Sequence, residues 1–195
     1  MHAPLILLAS RSPQRRALLG ALGVEFRVVV AGVDEGSDAV VNAHRKAEAV
    51  AERVGLPSGG AVIGADTEVL LDGRALGKPG DARAAARMVS SLAGRAHEVV
   101  TAVAVVSRAA TLQRSVAARV EMRPADRDRV AWYVASGEWR ERAGGYAIQG
   151  AGAALVERVD GDPSTVIGLP VGAVAEMLAE VGLGPWARGA QNSGG

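Results

Sequence analysis

Residues 5–22 read LILLASRSPQRRALLGAL, and this stretch decides the fold class. Residues 5–9 form a short, continuously apolar run, which is typical of a strand covered on both faces. Ser12 then matches a helix N-cap and Pro13 the first helical position, so the pattern predicts a helix that ends at Gly23. A buried strand that leads directly into a helix indicates an α/β protein.

The rest of the chain alternates strand-like and helix-like patterns, which supports the same fold class. Strands are predicted at residues 26–30, 61–63, 68–71, 98–107, 111–120 and 153–159, and helices at residues 38–54, 81–92, 126–135 and 169–181. The residues Gly64-Ala65-Asp66-Thr67 are expected to interrupt the third strand, and residues 144–152 to form a glycine-rich loop. Because residues 98–107 and 111–120 are expected to pair as a hairpin, the sheet is predicted to be mixed rather than purely parallel.

The length of 195 residues fits one domain, or two small lobes that share a core. We expect this domain to span residues 1–188, followed by a disordered, glycine-rich tail at residues 189–195. The first residues carry no basic leader pattern, and the apolar run at residues 5–9 is too short to span a membrane. The expected location is therefore the cytoplasm, with no membrane partner.

Charge and cysteine content exclude several kinds of site. The formal net charge is +1, so no global field favours nucleic acid, and any anion site has to be local. The absence of cysteine excludes a disulfide framework, a thiolate nucleophile and a Cys-ligated metal site. His2, His44 and His97 lack metal-ligand spacing, so we interpret each as a surface or helix residue. Nearly all basic residues are arginines, and the only lysines are Lys46 and Lys78.

The turn at residues 10–16 is the first candidate site. A strand ends there and a helix begins, so free backbone N–H groups, two hydroxyls and three arginines surround a small volume. This arrangement is typical of a phosphate site. An ordinary Ser-Pro helix cap with its arginines in water is the alternative interpretation.

Asp66 is the second candidate, because an acid within an apolar strand needs a partner, hydrogen bonds or a metal ion. The small residues Gly64 and Ala65 leave room for a ligand to approach the backbone. A second acid pair, Asp34-Glu35, follows an earlier strand, and two separated carboxylates can hold magnesium while leaving positions for phosphate and water. The alternative is a carboxylate that backbone N–H groups satisfy at a strand bend.

Lys78 lies in the turn Leu76-Gly77-Lys78-Pro79, which superficially matches a phosphate loop. The glycine spacing is one residue short, and Pro79 stands where the hydroxyl that binds magnesium would be required, so a Walker A motif is excluded. A lysine in a rigid Gly–Pro turn can still point at a phosphate, and a solvent-facing turn is the alternative.

Together these segments resemble the Maf family of nucleotide pyrophosphatases. The matching stretches run in order along nearly the whole chain, and they are LILLASRSPQRRALL at 5–19, VDE at 33–35, RKA at 45–47, IGADTEV at 63–69, LGKP at 76–79, LAGRAHEVVT at 92–101, AGGYAIQG at 143–150 and VIGLP at 166–170. Single pieces are weak signals, whereas the ordered set is specific. Both lysines fall inside matching segments.

The resemblance implies an enzyme that hydrolyses a nucleoside triphosphate to the monophosphate and pyrophosphate. It implies an elongated α/β fold, with a mixed sheet flanked by helices and an active-site cleft between two lobes. It further implies a divalent cation (Mg²⁺ or Mn²⁺), a homodimer, and a house-cleaning role in nucleotide metabolism with a link to cell-division arrest.

The resemblance also assigns residues to roles. Asp66 matches the proton acceptor, and Glu35 together with Asp66 matches the metal-binding acids. The positions that match the triphosphate cradle are Ser10, Arg15, Lys46 and Lys78, and those that match base selection are Gln14, Thr67 and Gln149.

The chain departs from the family pattern at three places. Gln14 stands where the family commonly has arginine, whereas Thr67 and Gln149 fit the branch that prefers dTTP and UTP, so the base preference stays open. The stretch from Glu35 to Lys46 is shorter than usual. Glu68 adds a carboxylate beside Asp66, and we expect it on the opposite strand face, exposed to solvent.

Two other kinds of function remain to be weighed. A non-catalytic nucleotide-binding regulator that acts on cell division through a protein partner is favoured only by the shortened segment between Glu35 and Lys46. A nucleic-acid binder that uses its arginines is disfavoured by the balanced charge.

Overall fold

The structure is a computed structural model that describes residues 5–56 and 58–186. Within these ranges the strands are β1 (Ile6–Leu8), β2 (Phe26–Val28), β3 (Ala61–Leu71), β4 (Arg74–Leu76), β5 (Ala96–Ser107), β6 (Thr111–Met122) and β7 (Val156–Asp160). The helices are α1 (Pro13–Ala21), α2 (Ala39–Val54), α3 (Ala82–Leu92), α4 (Arg127–Ser136), α5 (Pro163–Ile167) and α6 (Val171–Glu180). The tail prediction for residues 189–195 concerns residues outside the described ranges.

The strands form one mixed sheet in the order β2-β1-β3-β5-β6-β7, with β4 paired to β3. Strand β1 runs parallel to both β2 and β3, whereas β4 is antiparallel to β3 and β7 is antiparallel to β6. The predicted α/β class with a mixed sheet is therefore confirmed.

Side-chain caps start the helices where the sequence patterns predict. The hydroxyl of Ser12 accepts the N–H of Arg15 at the start of α1, which contains Pro13 in its first turn. The carboxylates of Asp38 and Asp81 cap α2 and α3 in the same way. The sequence analysis missed β4, α5 and the short 3-10 helices Ala143–Gly145 and Gly150–Leu155, since none is long enough to carry a hydrophobic period.

Strand β3 is unbroken through Gly64, Ala65, Asp66 and Thr67, so the predicted interruption is wrong. The strand continues through Asp66 because Asn42 and Lys46 on α2 donate hydrogen bonds to its carboxylate. The expectation for Glu68 is also wrong. Asp66 and Glu68 are two positions apart on a continuous strand, so they share a face, and Glu68 is partly buried.

The described chain divides into two compact units. The first unit runs up to Asp66, resumes over Thr101–Val116 and continues from Gly168. Alternate residues of its strands belong to different apolar clusters, so both sheet faces in this unit are covered, as the apolar run at residues 5–9 predicts. One cluster includes Ile6, Leu8, Ile63, Val103 and Val105, and the other includes Leu7, Ala9, Val62, Ala104 and Val106.

The second unit comprises Thr67–Val100 and Ala117–Ile167 and has an apolar core of its own. This core includes Val69, Val89, Leu92, Val120, Tyr133, Tyr146 and Leu155. Helices α3 and α4 pack against each other within it. Among the helices of the described ranges, none combines the length and the apolar character that crossing a membrane requires.

Candidate active site

Asp66 is buried on β3, with only 8% of its surface exposed. Its Oδ1 accepts a hydrogen bond from Lys46 Nζ at 2.7 Å, and its Oδ2 accepts one from Asn42 Nδ2 at 2.9 Å. Asn42 and Lys46 lie four positions apart on α2, so they share one helix face. Helix α2 therefore supplies a donor to each oxygen of the strand carboxylate.

Gly64 explains how α2 comes this close to β3. A Cβ atom at this position would lie 2.0 Å from the carbonyl oxygen of Ala43 and 2.9 Å from the backbone nitrogen of Ala47. Ala43 and Ala47 are themselves buried. The space that the sequence suggested for a ligand at Gly64 is thus filled by the backbone of α2, and the small residue serves to bring Lys46 within reach of the acid.

Glu35 joins the same cluster through Lys46. The Nζ of Lys46 lies 2.8 Å from Glu35 Oε1 and 2.7 Å from Asp66 Oδ1, and it also donates to the carbonyl of Ala65 at 3.4 Å. An ammonium group has three protons, so each of them has an oxygen partner here. Lys46, which was predicted to bind phosphate, is in this state the counter-ion of both predicted metal ligands.

This arrangement fits the oxygen chemistry of a divalent cation. Glu35 and Asp66 each place a carboxylate oxygen within 2.8 Å of one positive charge, so the two acids converge on a single point. Mg²⁺ is commonly held by one or two carboxylates together with waters and substrate phosphates. In the described part of the chain no group of three or more His, Cys, Asp or Glu residues could hold a metal ion.

Arg15 and Ser10 lie in the same unit and belong to this neighbourhood. Arg15 donates through Nε to the carbonyl of Gly168 and through Nη1 to that of Ala65, both at 2.8 Å, and its Nη1 lies 3.5 Å from Ser10 Oγ. Burial lowers the pKa of Arg15, while the charges of Asp66 and Glu35 oppose this shift. The guanidinium stays charged at neutral pH and adds a second cation beside the two acids.

Gln14 lies in the first turn of α1. Its Oε1 accepts a hydrogen bond from the hydroxyl of Ser12 at 3.0 Å, and the backbone N–H of Ser12 donates to Ser10 Oγ at 3.2 Å. The turn therefore contains the hydrogen bonds of an ordinary helix cap. Its use as a phosphate site stays a prediction.

The second unit holds Lys78 and Thr67. The turn that carries Lys78 is fixed by the backbone N–H of Gly144, which donates to the carbonyl of Gly77 at 3.1 Å. Gly145 has a φ of +71°, and a Cβ atom there would lie 3.3 Å from Pro79. Lys78 itself is exposed, and Thr67 is half-buried.

Gln149 is also in the second unit and is exposed. The segment that follows it is held by Glu138, whose carboxylate accepts the N–H groups of Ala151 at 2.9 Å and Gly152 at 3.1 Å. The structure therefore brings together the predicted residues Ser10, Arg15, Glu35, Lys46 and Asp66 in the first unit. It places Thr67, Lys78 and Gln149 in the second.

Asn42 is the residue of this cluster that the sequence analysis missed. Its side chain is almost fully buried and contacts both Asp66 and the backbone of Gly36. The available signal was its position one helical turn before Lys46. An asparagine on the buried face of a helix requires a polar partner.

His97 contradicts its interpretation as a surface or helix residue. It lies on β5 with 5% of its surface exposed, and its Nε2 is 2.6 Å from the hydroxyl of Tyr146. Burial lowers the pKa of His97 to about 4 and raises the pKa of Tyr146 above its usual range. His44 does lie on a helix, where it is half-buried beside Glu48, and His2 falls outside the described residues.

The sequence comparisons identify the family. A family model described as "Maf-like protein" matches residues 5–181. A protein named "dTTP/UTP pyrophosphatase" from Thermus thermophilus is 44% identical over 193 residues, which cover 95% of this chain and 96% of that protein. One of the same name from Pelotomaculum thermopropionicum is 44% identical over 91% of this chain and 96% of its own length.

Among solved structures, a HAM1 protein from Coxiella burnetii is similar with a TM-score of 0.49 and 19% identity, covering 64% of this chain and 75% of that one. The family match and the two pyrophosphatase relatives extend over nearly the whole sequence. On that ground, this chain belongs to the Maf-like protein family.

Proposed function

We propose that this protein is a nucleoside triphosphate pyrophosphatase, which hydrolyses its substrate to the nucleoside monophosphate and pyrophosphate. The observation that carries the proposal is the buried carboxylate of Asp66, held beside Glu35, Lys46 and Arg15. Relatives that are 44% identical over at least 91% of this chain are named dTTP/UTP pyrophosphatases, which supports the assignment. Such an enzyme would serve nucleotide house-cleaning in the cytoplasm. The proposal also includes a link to cell-division arrest.

Glu35 and Asp66 are proposed to hold a divalent cation, Mg²⁺ or Mn²⁺, through their converging oxygens. When bound, such an ion lowers the pKa of a water molecule and ties down phosphate oxygens. In this proposal Asp66 orients or deprotonates the attacking water, which must be in line with the departing pyrophosphate. The carboxylates of Glu35 and Asp66 would be neutralised by a bound divalent cation in place of Lys46. The ammonium of Lys46 would then be available to donate to phosphate oxygens.

The leaving pyrophosphate needs cations, and the proposed donors are Lys46, Lys78 and Arg15, with Ser10 at the same turn. Each such donor stabilises developing charge, and removal of one typically costs about 2.7–4 kcal/mol of transition-state stabilisation. Base selection is proposed for Gln14, Thr67 and Gln149. Because Gln14 departs from the family pattern, the preference among bases is left to experiment.

The test is a phosphate-release assay coupled to inorganic pyrophosphatase, with common and modified triphosphates and with Mg²⁺ or Mn²⁺. We expect turnover by the wild type and a loss of at least about 100-fold in kcat for Asp66→Asn, since a positioned general base contributes on the order of 10²–10⁴. Asp72→Asn is the matched control, because Asp72 is an exposed acid in the turn after β3 and should leave kcat unchanged. Undiminished turnover in Asp66→Asn would contradict the proposal.

The same assay addresses the base. A change in the ranking of triphosphates between the wild type and Gln14→Arg would show that position 14 selects the base, and an unchanged ranking would remove Gln14 from that role.

The non-catalytic regulator is the alternative that the shortened segment before Lys46 favoured. In the structure this segment still carries Glu35 into contact with Lys46, so it keeps the acid in the cluster. A wild type that binds triphosphates but turns over none of them would favour the regulator.

A further inference from the structure

We propose that Asn42 is a positioning residue, which aims the carboxylates of Glu35 and Asp66 at a common point. The inference rests on the proposed function, because it concerns the acids that would hold the metal and the attacking water. Asn42 has only 2% of its surface exposed, so its side chain must be satisfied within the protein.

The amide of Asn42 bonds to both acid-bearing segments. Its Nδ2 donates to Asp66 Oδ2 and to the carbonyl of Gly36, each at 2.9 Å, and its Oδ1 accepts the N–H of Gly36 at 2.7 Å. A carboxamide has two N–H donors and one carbonyl, so every one of these groups is engaged. A flipped amide would set its oxygen against two acceptors and its nitrogen against a donor, so the network permits a single orientation.

The contact with Asp66 divides the two oxygens of the carboxylate between two partners. Oδ2 is bound by the planar amide of Asn42, and Oδ1 is bound by Lys46. An ammonium is a compact charge with rotatable donors and imposes little direction, whereas an amide bonded at both ends does. Asn42 is therefore the partner that sets the plane of the Asp66 carboxylate.

The contact with Gly36 fixes the position of Glu35. Residues 29–38 lie in neither a helix nor a strand. The start of this segment is held by the N–H of Val29, which donates to the carbonyl of Leu8, and by Arg53, which donates to the carbonyls of Val30 and Ala31. The paired bonds from Asn42 to the N–H and the carbonyl of Gly36 dock this segment onto α2 directly beside Glu35. One side chain thus links the loop acid to the strand acid.

The experiment compares Asn42→Leu and Asn42→Ala with the wild type in two measurements. Mn²⁺ binding is measured by titration calorimetry without nucleotide, and kcat and KM are measured with the best triphosphate. We expect Mn²⁺ affinity to fall by about tenfold or more and kcat by about 10–100-fold, as for other residues that orient metal ligands. KM for the triphosphate, measured at saturating Mn²⁺, should stay within about threefold, because the hydrogen bonds of the Asn42 side chain go to Gly36 and Asp66 rather than to the proposed phosphate-binding groups.

Val50→Ala is the matched control, because Val50 is fully buried on the same helix and its side chain is apolar. It should lower the melting temperature while leaving Mn²⁺ affinity and kcat unchanged. The inference would be overturned if Asn42→Leu kept the Mn²⁺ affinity and kcat of the wild type. It would also be overturned if Val50→Ala lost as much Mn²⁺ affinity and kcat as the Asn42 variants. Failure of both Asn42 variants to fold, while Val50→Ala folds, would assign Asn42 a purely structural role and overturn it as well.

The two proposals fail in distinguishable ways. A wild type that binds Mn²⁺ but hydrolyses no triphosphate contradicts the proposed function alone. If the wild type is active and the Asn42 variants keep its Mn²⁺ affinity and kcat, only the positioning role of Asn42 is contradicted. If the wild type hydrolyses triphosphates but binds no Mn²⁺ without nucleotide, the inference that Asn42 orients Glu35 and Asp66 towards a metal ion is wrong.

Discussion

Among single residues, Lys46 shows how this chain tolerates charges in its interior. Lys46 and Asp66 are both buried, and an isolated charge in such a place would be strongly destabilising. The ammonium reaches Asp66, Glu35 and the Ala65 carbonyl together. Removing Lys46 would leave two neighbouring acids without their shared counter-ion, so Lys46 contributes to stability as well as to the proposed binding of phosphate.

His97 yields a prediction about pH. The unfolded residue titrates near pH 6.5 and the folded one near 4, so between these values the unfolded chain binds more protons. Stability is therefore fully present above pH 6.5 and is lost as the pH falls towards 4, by at most about 1.4 kcal/mol per pH unit. The physical reason is burial, which disfavours the charged form of the imidazole.

The measurement is the free energy of unfolding in urea at several values between pH 7 and pH 4. His97→Gln should show a shallower loss of stability than the wild type. Identical slopes for the wild type and His97→Gln would show that His97 does not carry this dependence.

Between elements, the contact of α2 with β3 builds the proposed site. Gly64 on the strand and the alanines Ala43 and Ala47 on the helix allow the two backbones to touch. A strand residue of ordinary size would push α2 outward and carry Lys46 away from Asp66. The glycine in the Gly-Ala-Asp motif is therefore explained by packing, and the proposed function of Asp66 depends on that packing.

Gly64→Ala tests this dependence. We expect the free energy of unfolding to fall by about 1–3 kcal/mol or more, because the added Cβ meets backbone rather than a flexible side chain. The proposed pyrophosphatase activity should fall with it. Gly172→Ala on α6 is the control, since nothing lies within 4 Å of its Cβ position, and it should be neutral or stabilising by up to about 1 kcal/mol. If Gly64→Ala and Gly172→Ala changed the free energy of unfolding in urea and the turnover rate equally, the close contact of α2 with Gly64 would not be what the site depends on.

For the whole molecule, the proposed ligands should act as stabilisers. A non-hydrolysable triphosphate with Mn²⁺ at about 100 times its Kd adds roughly 2.7 kcal/mol to the native state. In a protein of this size that raises Tm by about 5–11 °C. Glu35→Gln should lose most of the Mn²⁺-dependent rise in Tm. Glu25→Gln, at an exposed position, should retain this rise. A thermal-shift series in which Glu35→Gln behaves like the wild type would exclude Glu35 as a ligand.

Local patterns were sufficient for much of the fold. The Ser12 cap and the helical patterns that begin at Asp38 and Asp81 are short-range signals, and they predicted the starts of α1, α2 and α3. The alternation of strand-like and helix-like patterns, with the hairpin expected at residues 98–107 and 111–120, predicted the mixed α/β class. The unbroken course of β3 through Asp66 could not be predicted in this way. Whether an acid breaks a strand depends on a partner that is distant in sequence.

The same division applies to the candidate site. The sequence by itself determined the family and the set of charged residues, because motif order and residue type are written along the chain. Only the tertiary structure decided that Lys46 joins Glu35 to Asp66, that α2 rather than a ligand fills the space at Gly64, and that Asn42 and His97 are buried with polar partners. Hydrogen bonds and close packing join residues that are far apart in sequence, and no local pattern records which groups will meet.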